Sequence, residues 1–580
     1  MPARLRSTDV VYVLQENLVI TGGAGGYLDA DDTGVVVARN SGRLAVDPGV
    51  VVKMQGARIE LERGTSQLIA EGSPGQRVII TALGDSRFGA GGSFDTNGNQ
   101  PDKFDAFGNP VGGLTGGDWG GIIANAGSKV SLDQAYIAFG GGTTPIEGTF
   151  DAFNVIEVHQ AELRLTNSRL ENNASGRAAS TRNGRGINDT ATVFVRGAQP
   201  IIVANDFRAN AGAVVSINAN SLSDVDRPDT GRSTGGIDRF TGFDDNAGPL
   251  VRGNRMSFST SAAATAGMVV RAEQITVEGV WDDTDIVHVL TSEIVVKNFH
   301  TATGLRIVSR PTESLIVKLL GPNAGFTASG YGLDIDDRIG GTVQIVGQPS
   351  YPVIVTSLRD DTVGAGLDPL GNIVKDTNTD GTSTSAAAND WRSLAFMPYS
   401  NDRNVAIAIE AEKAYTGGLG RNDSVTDAQA LGVLAGNFAT GSNSADSAQE
   451  KSGDANRRLG FEVHGTISPD TPSDVDTYQF TGSAGSEVWL DLDKTSSSLD
   501  AMIELLDAAG NVLARSVDSA LEGGVVNDDF QLDIGLAADA VYTLAHGGAV
   551  AESLTGVIYD YSNPLAPVPM QTFTCAADGV

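Results

Sequence analysis

Between residues 42 and 72 the chain reads GRLAVDPGVVVKMQGARIELERGTSQLIAEG. Short runs rich in Val and Ile follow one another with only one or two turn residues between them. Bends this tight suit the corners of a coil better than hairpins, where Asn-Gly or Asp-Gly is typical. The same texture continues from residue 10 to about 415, in GVVVA, RVIIT, TVFVRG, PIIVAN, EIVVKN and SLIVKLL, punctuated by Gly, Asn and Asp. No long segment carries an apolar period of 3.6 residues, so an all-β fold is predicted, either stacked sandwiches or a solenoid.

Repetition favours the solenoid. VIITALGDSRFGAG at 78–91 returns without a gap as VIVTSLRDDTVGAG at 353–366. Each copy follows a glycine, Gly72 or Gly347, and leads into a polar excursion that returns at Asp-Trp: Asp118-Trp119 and Asp390-Trp391. The two copies are therefore expected to be equivalent coils near the two ends of a rod. A strand-turn-Asn pattern recurs in LRLTNSRLENN, IIVANDFRANAG and PLVRGNRMSF. It places Asn167, Asn205 and Asn254 at matching points, where their amides are expected to stack from rung to rung. Coils that touch only their neighbours, with apolar runs buried in parallel strands, fit this pattern. About a dozen coils at roughly 4.8 Å would make a rod of about 60 Å.

The segment 416–458 is poor in strand formers and reads as a linker. After it, GFEVHGTI, DTYQFTG, EVWLDLD and AMIELLDAAGNVLARS have the spacing of an antiparallel sandwich. The predicted layout is thus 1–415 β-helix with long loop insertions, 416–458 linker and 459–580 β-sandwich.

Composition excludes several function classes. With 71 acidic against 40 basic residues the formal charge is −31, which argues against nucleic-acid binding and favours cations. A single cysteine, Cys575, allows neither an intrachain disulfide nor a cysteine zinc site. No run of 18 apolar residues is present, so no transmembrane helix is expected. The start MPARLRSTDVVYVLQENLVI lacks an apolar signal core, and the end TFTCAADGV reads as an interrupted strand entry. Both features fit a piece of a longer gene product.

The words LGFEVHGTISPDTPSDVDTYQFTGSAGSEVWLDLD and LDAMIELLDAAGNVLARS resemble the bacterial pre-peptidase C-terminal (PPC) domain, a jelly-roll-like β-sandwich appended to secreted proteins. The words VDPGVVVKMQGARIELERG, GDWGGI and VWDDTDIVHVL resemble the right-handed, pectin-lyase-like parallel β-helix regions of very large secreted or surface proteins of planctomycete-type bacteria. The resemblance implies export and surface display and no particular enzymatic activity. The tail after YTLAHGG departs from the compact ending of the sandwich family.

The strongest chemical motif is Asp376-Thr377-Asn378-Thr379-Asp380-Gly381-Thr382. Oxygen side chains at alternate positions with a glycine turn can converge on a hard cation such as calcium. Asp376, Asn378 and Asp380 would supply side chains, Thr382 a carbonyl, and Asp390 the later carboxylate that an EF-hand takes from a glutamate. Asp95 and Asn97 in the first excursion, and Asp474 and Asp476 in the sandwich, are weaker candidates. Each of these stretches also reads as an ordinary polar turn. Trp119 and Trp391 are expected to anchor the returning excursions, with a sugar-stacking platform as the alternative. Asp282, Asp283 and Asp285 beside His288 resemble an acid/base group, but His288 alternates with Val287 and Val289 in a strand, which favours a structural role. The pairs Asp360-Asp361 and Asp244-Asp245 carry carboxylates of the kind glycoside hydrolysis uses. The leading expectation is an extracellular or cell-surface, non-enzymatic structural or adhesion protein, stabilised by calcium and meeting polysaccharide or other surface proteins. The alternative is a carbohydrate-active β-helix enzyme, a polysaccharide lyase or glycoside hydrolase.

Overall fold

The structure is a computed structural model. It describes residues 2–23, 29–30, 36–37, 42–98, 113–177, 181–235, 239–243, 246–257, 264–297, 304–329, 341–381, 383–397, 400, 405–411, 422–434, 457–458, 460–464, 475–482, 487–492, 501–517, 530–535, 540–548, 554–560 and 568–575. The chain divides into two compact units, 1–330 with 341–401, and 331–340 with 402–580.

The first unit is a parallel β-helix. Its chain visits three sheets in turn: Arg43–Val46 in the first, Val51–Met54 in the second and Ile59–Leu61 in the third. The next turn of the coil lays Gln67–Glu71, Val78–Ala82 and Ile122–Ala124 beside them, each paired in parallel. The first and second sheets hold 7 strands each and the third holds 10. Among the described residues the third sheet's ten rungs span roughly 45 Å. Inward positions stack like on like, as in the column Ile59, Ile122, Ile156, Val193, Val215 and Met268 of the third sheet. These side chains belong to one continuous core. Parallel strands buried in this way need the apolar runs that the sequence shows.

The corners explain the short turns. Gln134, Asn167 and Ala204, at equivalent places between the first and second sheets, have φ of 49°, 49° and 58°. Phe139, Asn172 and Ala209 repeat this at the next corner with 58°, 53° and 49°. A single left-handed residue turns the chain sharply, at a cost of roughly 1 kcal/mol for a non-glycine. The residue after it carries the ladder. Asn205 Oδ1 accepts from Ser168 N–H, and Asn254 Oδ1 accepts from Asn205 N–H and Nδ2. Asn210 Oδ1 likewise accepts from Asn173 Nδ2. The predicted column therefore shifts by one residue. Asn167 is the left-handed corner, which Asn tolerates, and Ser168 takes its place below Asn205 and Asn254.

The first and second sheets end at Leu250–Arg252 and Arg255–Ser257, while the third continues. Beyond the break the other two faces are rebuilt by a 4-stranded sheet from Gln274–Ile275 to Trp391–Phe396 and a 3-stranded sheet from Gly279–Trp281 to Thr342–Val346.

In the second unit, Val475–Gly482 pairs antiparallel with Ala540–Gly548, which pairs antiparallel with Ala501–Leu506. Gln429–Leu434 lies parallel to Val475–Gly482, and Val405–Ile409 parallel to Gly460–His464. Part of the predicted linker is thus a strand of this unit, and the unit begins before residue 459. Its recruitment depends on a neighbour to pair with, which a strand-poor composition does not reveal. Among the described residues no helix is long and apolar enough to cross a membrane.

Candidate functional site

The second copy of the repeated word leaves the third sheet at Ile354–Ser357 and runs over that sheet's outer surface. Val287, Val289 and Ile316 on the rungs are covered by Leu358 and Ala365 of the excursion. Between them Lys318 is fully buried, its Nζ donating to Asp360 O at 2.7 Å and Lys375 O at 2.8 Å. Burial lowers the Lys318 pKa, and Asp361, Asp360 and Asp376 oppose this. The excursion also reaches back to the sheet break. Leu367 O accepts from Met256 N–H at 2.9 Å, and Thr377 O accepts from Ala266 N–H at 2.8 Å.

On this excursion Asp361, Asp376 and Asp380 come together, each offering an oxygen within 4.8 Å of the others. Asp376 is held by Asp380 N–H at 3.1 Å and Gly381 N–H at 2.8 Å. Asn378 Nδ2 donates to Asp380 Oδ2 at 2.9 Å, which leaves the Asn378 amide oxygen facing away from that bond. Asp361 Oδ1, Asn378 Oδ1 and Asp380 Oδ1 are buried atoms without a hydrogen-bond partner. Burial first, then the Asp376 carboxylate, raise the Asp361 pKa. Three converging carboxylates, two of their oxygens unsatisfied, form a donor set suited to a hard divalent cation, with the unsatisfied Asn378 Oδ1 on the same turn.

Of the residues singled out in the sequence, Asp376 and Asp380 lie together with Asp361, and Asn378 donates to Asp380. The repeat carried a signal for Asp361: the first copy has Ser86 in its place. Asp390 goes elsewhere. Its carboxylate accepts from Ser357 Oγ at 2.5 Å, Arg359 Nη1 at 2.8 Å and Ala387 N–H at 2.9 Å, tying the excursion's end to its start. Thr382 and Asp474 lie outside the described residues. Asp95 and Asn97 are exposed on the first excursion and lie outside the carboxylate grouping. Asp476 is fully buried in the second unit.

Trp119 is 0% exposed and its Nε1–H donates to Ala138 O at 2.8 Å. It has no face to offer a sugar and serves as the corner anchor. A Cβ on Gly140 would stand 2.8 Å from the Trp119 ring, so the corner needs glycine there. Trp391 opens a strand, pairs with Gly321 and is partly buried against the core. The two repeat copies are one face apart in the winding, Val78–Ala82 in the second sheet and Ile354–Ser357 in the third. They are therefore not equivalent coils, as expected from the sequence, and match only in local structure, because the excursion starts at a strand end and any face supplies one.

The acidic cluster at 282–285 caps the break. Asp282 Oδ2 accepts from Ala247 N–H at 3.0 Å, Asp283 Oδ1 from Val251 N–H at 3.0 Å, and Asp285 Oδ2 from Gly253 N–H. These carboxylates take the place of a missing strand at the edge of the first sheet. His288 points inward, 0% exposed and stacked on Trp281 at 5.1 Å with 10° between the rings. Burial lowers its pKa to about 3, so the ring is neutral. Asp360 accepts from Thr356 Oγ1 at 2.7 Å and Thr362 N–H at 3.0 Å and shapes the turn. Asp244 and Asp245 lie outside the described residues.

The fold and this site define an all-β chain with a parallel β-helix and a carboxylate-lined excursion. Residues 474–544 match the bacterial pre-peptidase C-terminal domain. No curated protein and no solved structure matches the chain.

Proposed function

We propose that the chain is part of an extracellular, non-enzymatic β-helical rod used in surface display or adhesion, with calcium holding the second excursion against the third sheet. One observation carries the non-enzymatic reading. Asp282, Asp283 and Asp285 are engaged as edge caps, and His288, beside them in the sequence, is buried in the core and neutral. Glycoside hydrolysis needs two carboxyl groups open to a substrate on either side of the scissile bond. Calcium is supported by the unsatisfied oxygens of Asp361, Asn378 and Asp380. Export is supported by the match of the second unit to a family of bacterial C-terminal domains. Polysaccharides or other surface proteins are the expected partners.

The test is incubation of the chain with neutral and acidic polysaccharides. No release of reducing or unsaturated ends is expected; release that disappears on Asp283→Asn or Asp361→Asn would install the carbohydrate-active enzyme instead. Calcium is expected to raise the melting temperature, and an identical curve in chelator would remove it from the account.

A further inference from the structure

We propose that the first coil of the β-helix is a docking surface for a second copy of this chain, the two rods meeting first coil to first coil. Pro2–Leu5, Val11–Leu14 and Leu18–Ile20 are the end strands of the three sheets, each paired on one side only among the described residues. Leu14 O accepts from Gln55 N–H at 3.1 Å and Ile20 O from Glu62 N–H at 3.0 Å, so these residues face the adjoining coil. Backbone groups alternate along a strand, so those of Val13 and Val19 point the other way, to an open edge. Such an edge is a template for another strand.

The core is open at the same end. Leu5, Leu14 and Leu18 pack against it but are only partly buried. Coils of a solenoid bury their interior by stacking, and an end coil needs a cover. Exposed apolar side chains gather here. Val10, Val13 and Val19 are exposed, and two phenylalanines flank them. Phe94 is 51% exposed; its carbonyl accepts from Lys53 Nζ at 2.8 Å, and Lys53 pairs with Val13. Phe150 is 64% exposed and pairs with Pro145, whose carbonyl accepts from Asn17 Nδ2 at 2.9 Å. Aromatic side chains placed in this way anchor protein interfaces.

The cover has to present three strand edges around an apolar centre, and a coil of the same kind does so. Charge favours a second copy. Residues 2–20 carry Arg4 and Arg6 against Asp9 and Glu16, so this end is neutral in a chain of formal charge −31. Two such ends meet without repulsion. A two-fold axis across the rod reverses the winding, so the strands of the two coils meet antiparallel, the more stable pairing. With Val11–Leu14 against its own copy, the corner bearing Arg6 lies over the other copy's corner bearing Glu16, and the reverse. This surface is separate from the carboxylate excursion and independent of calcium.

The experiment is light scattering of the whole chain across micromolar concentrations, in reducing buffer so that Cys575 forms no cross-link. A dimer is expected. Val13→Pro removes an N–H of the open edge and no bond within the coil. It should weaken dimerisation about tenfold at an unchanged melting temperature. Phe150→Ser, on an exposed side chain, is expected to weaken it comparably. Arg6→Glu should weaken it too, and adding Glu16→Arg should restore it, which a structural role within one copy would not do. A monomer at every concentration or a filament, as head-to-tail stacking gives, would overturn the proposal. So would a dimer unmoved by Val13→Pro, Phe150→Ser and Arg6→Glu, or a charge-swapped variant no better than Arg6→Glu.

Discussion

Lys318 sits beside Thr356 on the adjacent rung, and this pair reproduces Lys53 beside Thr81. In both, the threonine hydroxyl donates to an aspartate four residues on: Asp360 at 2.7 Å and Asp85 at 2.6 Å. In both, the fully buried lysine donates to excursion carbonyls, Lys53 to Phe94 O at 2.8 Å. The repeated word is therefore a docking cassette: a turn that launches an excursion and a lysine beneath that holds it.

Lys318→Met should leave the Asp360 and Lys375 carbonyls without their donor. A loss of about 2 kcal/mol is expected, from the penalty for unsatisfied buried acceptors. Denaturant unfolding measures it, and limited proteolysis should show earlier cleavage within 362–386 than in the wild type.

Asp361 and Asp390 should separate by their response to calcium. Asp361→Asn is expected to diminish the calcium-induced rise in melting temperature. That rise corresponds to about 2.7 kcal/mol at a hundredfold excess over Kd. Asp390→Asn should lower the melting temperature by the same amount with calcium or chelator, because its partners are Ser357, Arg359 and Ala387. Scanning calorimetry in both buffers makes the comparison.

Glu157 sets an acid limit on the first unit. Burial opposes its ionisation, but bonds from His159 and Arg182 more than offset this and bring its pKa from 4.5 to about 2. A depressed carboxylate pKa contributes stability that is complete above 4.5 and fades as pH falls through about 2. Glu157→Gln is expected to cost about 3 kcal/mol at pH 7, and the difference from wild type should vanish near pH 2. Urea titrations across that range read it directly.

Asp283 has the opposite sign. Burial first, and then the Asp282 charge, raise its pKa well above 3.8. Stability linked to it is greatest below 3.8 and is lost as pH rises through the folded value. Asp283→Asn keeps an oxygen for Val251 N–H without the charge. The variant should therefore melt higher than wild type at pH 7 and equally at pH 3.5, as a pair of thermal scans would show.

The rungs were legible because burial in a parallel sheet writes itself locally, as short Val and Ile runs between single-residue corners. The acidic turn was legible for the same reason: Asp376, Asn378 and Asp380 lie close in the chain. Asp361 was not, since it reaches the loop only after the intervening residues have folded back over Lys318. The stacked asparagines show the limit at a single position. Asn167 and Asn205 look alike in sequence, but backbone dihedrals make one the corner and the other the ladder.

Sequence alone determined the apolar runs of the winding and the repeated turn that launches each excursion, since each follows from neighbours a few residues apart; the lysine beneath each turn comes from the adjacent rung. Only the tertiary structure decided which charges are spent inside it. The acids at 282–285 became edge caps because the first sheet stops at Leu250–Arg252 and its N–H groups require acceptors. Trp119 became a corner anchor because the returning excursion closes over the same rungs. Pairing across that distance is set by packing and the need to satisfy buried polar groups, and no local pattern encodes it.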